Sequence, residues 1–260
     1  ATAADGTPLA YTLAGEGSPA LVFIHGWMCD QSFWAAQVPA FAATHTVVTL
    51  DLAGHGHSGM ERPGWPLMAF GTDVQAVVER LGLERVILVG HSMGGPVALE
   101  AARLMPERVI GVVAVDSLHN ADLKYDPQQM AGLLAAFEQD FVATCGQFSS
   151  SMFVAGADPA LVEQVTAAMC DGSPEIATAL FRQFIDYDMG TALAAVTVPV
   201  RCINAAGYPT DLEVNRKYHP DFNAVIMDGV GHFLMMERPE EFNQHLAAAV
   251  AEIAGTSASR

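Results

Sequence analysis

Val86-Ile87-Leu88-Val89-Gly90-His91-Ser92-Met93-Gly94-Gly95 decides how this chain is read. The first four residues are an uninterrupted apolar run, the pattern of a strand buried on both faces. The stretch from Gly95 to Met105 reads as a helix, with Pro96 in its first turn, where a missing N–H costs nothing. Between strand and helix stands Gly-x-Ser-x-Gly. A serine in such a turn takes up a strained backbone that lifts its hydroxyl clear of the sheet. Gly90 and Gly94 suit the turn because side chains there would collide with the neighbouring strand and helix. The positive end of the helix then faces any negative charge that develops beside the hydroxyl. Gly-x-Ser-x-Gly alone is a weak signal, but between a buried strand and a helix it is a strong one.

Working outward, similar apolar runs recur at Ala20–Ile24, Thr46–Leu50, Val109–Val115, Val198–Ile203 and Ala224–Met227. Helical stretches lie between or after them at Gly71–Leu81 and Pro239–Ile253. This alternation predicts an α/β fold, a mostly parallel sheet with helices on both faces. From about Ser117 to Thr191 the rhythm breaks. No strand is legible there, and Met130–Phe137, Pro159–Met169 and Glu175–Tyr187 read as helices. A helical block between two strands reads as a cap, a place for substrate selection. The expected organisation is a core over residues 1–116, a helical cap over 117–191 and the rest of the core over 192–260.

Composition removes several alternatives. Of 260 residues, 51% are hydrophobic and 16% charged, which excludes a disordered chain. Lys and Arg total 12 against 29 Asp and Glu, a formal charge of −17, and the lysines are Lys124 and Lys217 alone. Such a chain lacks the cations that displace counterions from nucleic acid or bind an anionic membrane. No run approaches the length and apolarity of a transmembrane helix. The first residues, Ala1-Thr2-Ala3-Ala4-Asp5-Gly6, carry no signal-peptide pattern. The expectation is a soluble, cytoplasmic protein, with an exported protein whose leader has been removed as the alternative. Cys29, Cys145, Cys170 and Cys202 lack metal-like spacing and read as free core thiols. A Cys145–Cys170 disulfide is the reading that export would favour.

Four landmarks occur in order: His25-Gly26-Trp27, Asp51-Leu52-Ala53-Gly54-His55-Gly56-His57-Ser58, Gly90-His91-Ser92-Met93-Gly94-Gly95 and Gly229-Val230-Gly231-His232-Phe233. With them the chain resembles the α/β-hydrolase fold superfamily over essentially its whole length, as a capped, serine esterase-like member. The resemblance implies Ser92 as nucleophile and His232, in a Gly-rich loop after the last strand, as the base that takes and returns its proton. It implies an oxyanion hole made by the amides of Trp27 and Met93. His25 and His91 read as packing and hydrogen-bonding residues. His55 and His57 belong to a loop that is itself a family landmark, so no metal and no cofactor is expected.

The acid departs from the pattern. The family commonly ends the penultimate strand with an aspartate, and here Tyr208 stands in that place within Ala205-Ala206-Gly207-Tyr208-Pro209. Two carboxylates can substitute. Asp116 ends the strand after the nucleophile helix, where haloalkane dehalogenases of this fold carry theirs, and is preferred. Asp211 lies three residues beyond Tyr208 and is the alternative, although it also suits a helix N-cap.

Serine rather than aspartate in the turn favours an acyl-enzyme route on esters, thioesters or lactones. The cap supplies Phe148, Met152, Phe153, Phe181, Phe184 and Tyr187. Phe153, Phe181 and the Phe233 beside the base are the candidate substrate-binding residues. Asp116, Asp122 and Asp126 disfavour strongly anionic substrates. The expected function is a carboxylesterase acting on small to medium apolar esters, as a monomer or homodimer. The rival readings are a carbon–carbon bond hydrolase, a lactonase, a cofactor-free perhydrolase and a non-enzymatic small-ligand receptor.

Overall fold

Seven strands, β1 (Tyr11–Ala14), β2 (Ala20–Ile24), β3 (Val47–Leu50), β4 (Val86–His91), β5 (Val109–Val115), β6 (Val200–Ala205) and β7 (Asn223–Met227), form one sheet in the computed structural model, which describes residues 1–257. Their order is β1-β3-β2-β4-β5-β6-β7. β1 runs antiparallel to β3, and every other pairing is parallel. The α/β reading therefore holds, with one strand that the apolar pattern does not reveal. β1 lies at the sheet's edge and is half exposed, so its residues carry no continuous apolar run. β2 to β6 are buried on both faces almost throughout, which is why they do.

The helices outside the long β5–β6 connection are α1 (Gln37–Phe41), α2 (Leu67–Arg80), α3 (Gly94–Leu104), α9 (Leu212–Tyr218), α10 (Leu234–Glu237) and α11 (Pro239–Ser257). α3 and α11 cover opposite faces of β5. A Cβ on Gly111 would strike Ile253 of α11, whereas Gly95 of α3 packs towards Ala114, an odd number of residues away. The five parallel crossovers leave the carboxyl ends of β2, β3, β4, β5, β6 and β7 on one rim, where a fold of this kind opens its crevice.

The β5–β6 connection holds five helices: α4 (Pro127–Gln139), α5 (Phe141–Ser151), α6 (Pro159–Cys170), α7 (Pro174–Ile185) and α8 (Met189–Ala194). α5 and α8 add to the three that periodicity predicts. Their starts explain part of the acidity. Asp126, Asp140, Asp158 and Asp188 each accept an N-terminal amide of the helix that follows, as Ser173 does for α7. Pro127, Pro159 and Pro174 occupy first-turn positions that need no donor.

The reading of four free thiols is corrected here. Cys145 and Cys170 form a disulfide, and only Cys29 and Cys202 remain buried thiols. Packing of α5 against α6 brings the two Cα atoms to 5.7 Å, a separation that two cysteines can bridge. The bond closes a segment of 25 residues, and chain entropy alone makes it worth about 3 kcal/mol. Cys170→Ala should lower the urea midpoint accordingly, and an unchanged midpoint would show that packing alone holds α5 to α6. Among the described residues no helix is long and apolar enough to cross a membrane.

Candidate active site

Ser92 occupies the turn between β4 and α3 with φ of 53°, in the left-handed region that non-glycine residues rarely adopt. The turn is tight enough to exclude side chains on either flank. A Cβ on Gly90 would lie 2.1 Å from the Gly94 carbonyl oxygen, and one on Gly94 would lie 2.5 Å from that of Ile24. Ser92 is held by its backbone. Its N–H donates to the Val115 carbonyl at 2.9 Å, and its own carbonyl accepts the Ser117 hydroxyl at 2.8 Å.

The adjoining strand ends bring two more residues to this rim. Asp116 follows β5 at φ 42°, and His232 stands in the loop after β7. His232 Nδ1 lies 2.5 Å from Asp116 Oδ2, while Asp116 Oδ1 accepts the Ala205 amide at 2.8 Å. Burial alone would raise the Asp116 carboxyl. The hydrogen bond and charge of His232, with help from His119 and the Ala205 amide, hold it below its ordinary value. Asp211 is occupied elsewhere: its carboxylate accepts the Val214 amide at 3.0 Å and caps α9. Of the two candidate acids, the geometry brings Asp116 to His232.

The backbone of His232 is gripped at both ends. Its N–H donates to the Met152 carbonyl at 2.9 Å, and its carbonyl accepts from His91 Nε2, also at 2.9 Å. Glu237 secures the residues on either side, accepting the Gly231 amide at 2.9 and 3.0 Å and the Phe233 amide at 3.3 Å. Sequence reasoning passes over Glu237 and names Met152 only for its side chain, because neither belongs to a motif and each meets a backbone group of this loop.

Gly26-Trp27 borders Ser92 from β2. A Cβ on Gly26 would lie 3.1 Å from that of Ser92. Among the described residues, neither the Trp27 nor the Met93 amide donates to a backbone carbonyl. The Trp27 indole donates to the Ala177 carbonyl of α7 at 2.9 Å. Its ring meets Phe137, Phe148 and Phe181 at 5.5 to 5.8 Å, so Phe181 and Trp27 belong to one aromatic cluster between sheet and inserted helices. Phe153 stacks on Phe233 at 5.0 Å. Phe233 is fully buried and backs His232, whereas Phe153 and Phe181 keep part of their surface.

The other histidines separate by environment. His25 Nδ1–H donates to the Gly26 carbonyl at 2.8 Å, and Nε2 accepts the Leu52 amide at 2.9 Å. Burial pushes its imidazole down to about 4. Burial, reinforced by the nearby His232, pushes His91 down to about 3, so both stay neutral donors. His55 is buried while the His57 side chain is exposed, and the two do not converge. Among the described residues, no three His, Cys, Asp or Glu side chains are grouped to hold a metal ion.

Known proteins resemble the chain in both sequence and fold. It is 28% identical over 249 residues to the dihydrolipoyllysine-residue acetyltransferase component of the acetoin cleaving system of Pseudomonas putida, covering 92% of this chain and 65% of that protein. The chain thus spans less than two thirds of that relative's length. The crystal structure of bromoperoxidase from Bacillus anthracis superposes with a TM-score of 0.86 at 23% identity, covering 96% of this chain and 99% of that one. A thermophilic esterase from Thermogutta terrifontis gives 0.84 at 22% identity, with 97% and 96% covered. The model of the Alpha/beta hydrolase family matches residues 21–245, and this chain belongs to that family.

Proposed function

We propose that the protein is a serine hydrolase that cleaves small to medium apolar carboxylic esters through an acyl-enzyme on Ser92. The observation that carries this reading is the Asp116 carboxylate on His232 Nδ1 at 2.5 Å, on the same rim as the strained Ser92 turn. With Nδ1 protonated and committed to Asp116, Nε2 is the nitrogen that takes the Ser92 proton. The Ser92 oxygen attacks the ester carbonyl, and the carbonyl oxygen becomes an anion received by the Trp27 and Met93 amides. Collapse of this adduct breaks the bond to the alkoxy oxygen, which leaves as an alcohol with the proton from His232. A water molecule, deprotonated by His232, then attacks the acyl group, and the acid departs as Ser92 regains its hydrogen.

The aromatic cluster of Trp27, Phe137, Phe148 and Phe181 supports an apolar acyl or aryl group. The chain's formal charge of −17 disfavours a strongly anionic one. A fluorophosphonate probe should label the protein once, with the mass added to the peptide containing Ser92. Competition by a p-nitrophenyl ester should suppress the label. Labelling elsewhere, or none, would refute the acyl-enzyme. In a parallel panel, an aryl ester should turn over faster than a lactone, a vinylogous diketone, or halide with peroxide, and the reverse order would reassign the reaction.

A further inference from the structure

Asp116 has a second imidazole beside it. His119 Nε2 lies 3.6 Å from Asp116 Oδ1, on the opposite oxygen from His232. The loop leaving β5 makes this possible: Asp116 at φ 42° and Leu118 at φ 54° turn the chain back, so that His119 returns to the carboxylate three residues earlier.

A run of hydrogen bonds sets which nitrogen of His119 carries the proton. Asn204, fully buried near the end of β6, accepts the Ser117 amide through Oδ1 at 3.2 Å, which fixes the orientation of its side-chain amide. Its Nδ2 therefore faces the Ser117 carbonyl at 3.1 Å, Thr210 Oγ1 at 2.9 Å and His119 Nδ1 at 3.3 Å. Thr210 Oγ1 is itself 3.3 Å from His119 Nδ1. Asn204 Nδ2 donates only and the Thr210 hydroxyl is able to donate, which favours the tautomer with Nδ1 accepting and the proton on Nε2, on the side of Asp116 but beyond hydrogen-bond distance. Tyr208, in the position where the family commonly keeps its acid, packs its ring 6.0 Å from that of His119.

We propose that His119 is a positioning residue for the Asp116–His232 pair: its imidazole, packed close to the second oxygen of Asp116, moderates the charge that Asp116 presents to His232. The proposal rests on the reading of Ser92, His232 and Asp116 as a hydrolytic triad. Burial outweighs the pull of Asp116 and holds His119 below the ordinary histidine range, so the ring beside Asp116 is neutral at neutral pH. The other titratable groups around the cluster are His91 at the end of β4, Cys202 in β6, Tyr208 after β6 and Glu237 in α10.

The test compares pH profiles of kcat and kcat/KM for wild type, His119→Ala and His119→Gln on an activated short-chain ester. The low-field proton of the His232–Asp116 hydrogen bond is followed by NMR without substrate. His119→Ala should lower plateau kcat about tenfold at unchanged KM. It should also move the acid limb of the profile upward, because Asp116 then presents more charge to the site. His119→Gln, which keeps an N–H near the Nε2 position, should restore most of kcat and the low-field signal. Should His119→Ala fail to fold by circular dichroism, His119→Phe fills the same space without a donor and replaces it. An unchanged kcat, acid limb and low-field proton in a folded donorless variant, alongside an inactive Ser92→Ala, overturns the role of His119 and leaves the triad standing. An active Ser92→Ala overturns the triad and this proposal with it.

Discussion

Ser92→Ala should lower kcat on an activated short-chain ester by about five to six orders of magnitude, the scale seen when a triad serine is removed. The fold should survive. What Ser92 contributes to the structure is backbone: its amide on Val115 and its carbonyl on the Ser117 hydroxyl, both retained in alanine. Alanine tolerates the positive φ about as poorly as serine does, so the melting temperature should move by no more than a few degrees. Steady-state kinetics with an active-site titration check the outcome. Activity within about tenfold of wild type would show that another group attacks the substrate.

The second large effect separates two aspartates that the sequence leaves in competition. Asp116→Asn should cost on the order of 10⁴ in kcat, because an asparagine amide turned towards Nδ1 favours the tautomer in which Nε2 can no longer accept a proton. Asp211→Asn should leave kcat near wild type, and stability too, since asparagine caps a helix as well as aspartate does. Asp211→Ala should cost about 1 kcal/mol of stability through the lost bond to the Val214 amide, again with kcat little changed. A large loss of kcat in Asp211→Asn, with Asp116→Asn near wild type, would transfer the acid to Asp211.

The contrast between these aspartates shows what can be read along a chain. The turn around Ser92 is legible because sterics single out its glycines: Gly90 by a contact of 2.1 Å within the turn and Gly94 by one of 2.5 Å with Ile24 of β2. The buried strands are legible because both faces are covered, which removes polar alternation. The partner of His232 is not legible, because Asp116 and Asp211 both follow strands that end on the same rim. The choice depends on a loop conformation, φ 42° at Asp116, that residue types do not announce. α5 escapes notice because Gly146 and the Ser149–Ser151 run are weak helix formers, and burial of Phe141 beside Phe137 of α4 and of Cys145 on Cys170 of α6 overrides that weakness. The disulfide depends on the same packing, so it could be no clearer than the helix that carries Cys145. His119 leaves a faint trace, a histidine three residues after a carboxylate at a strand end, and gains meaning only once Asn204 and Thr210 are in place.

The bond from the His232 amide to the Met152 carbonyl bears on how such a protein could be rebuilt. Met152 closes α5, and a Cβ on Gly231 would lie 2.4 Å from the same carbonyl, so the inserted helices touch the backbone that carries His232. A chimera that borrowed its β5–β6 insertion from another family member would therefore inherit a new support for its own histidine. Grafts meant to alter substrate preference would succeed only where the donor segment offers a carbonyl at the place of Met152 and an aromatic ring at that of Phe153. The inserted segment would here be tied, at one peptide, to the group that must not move.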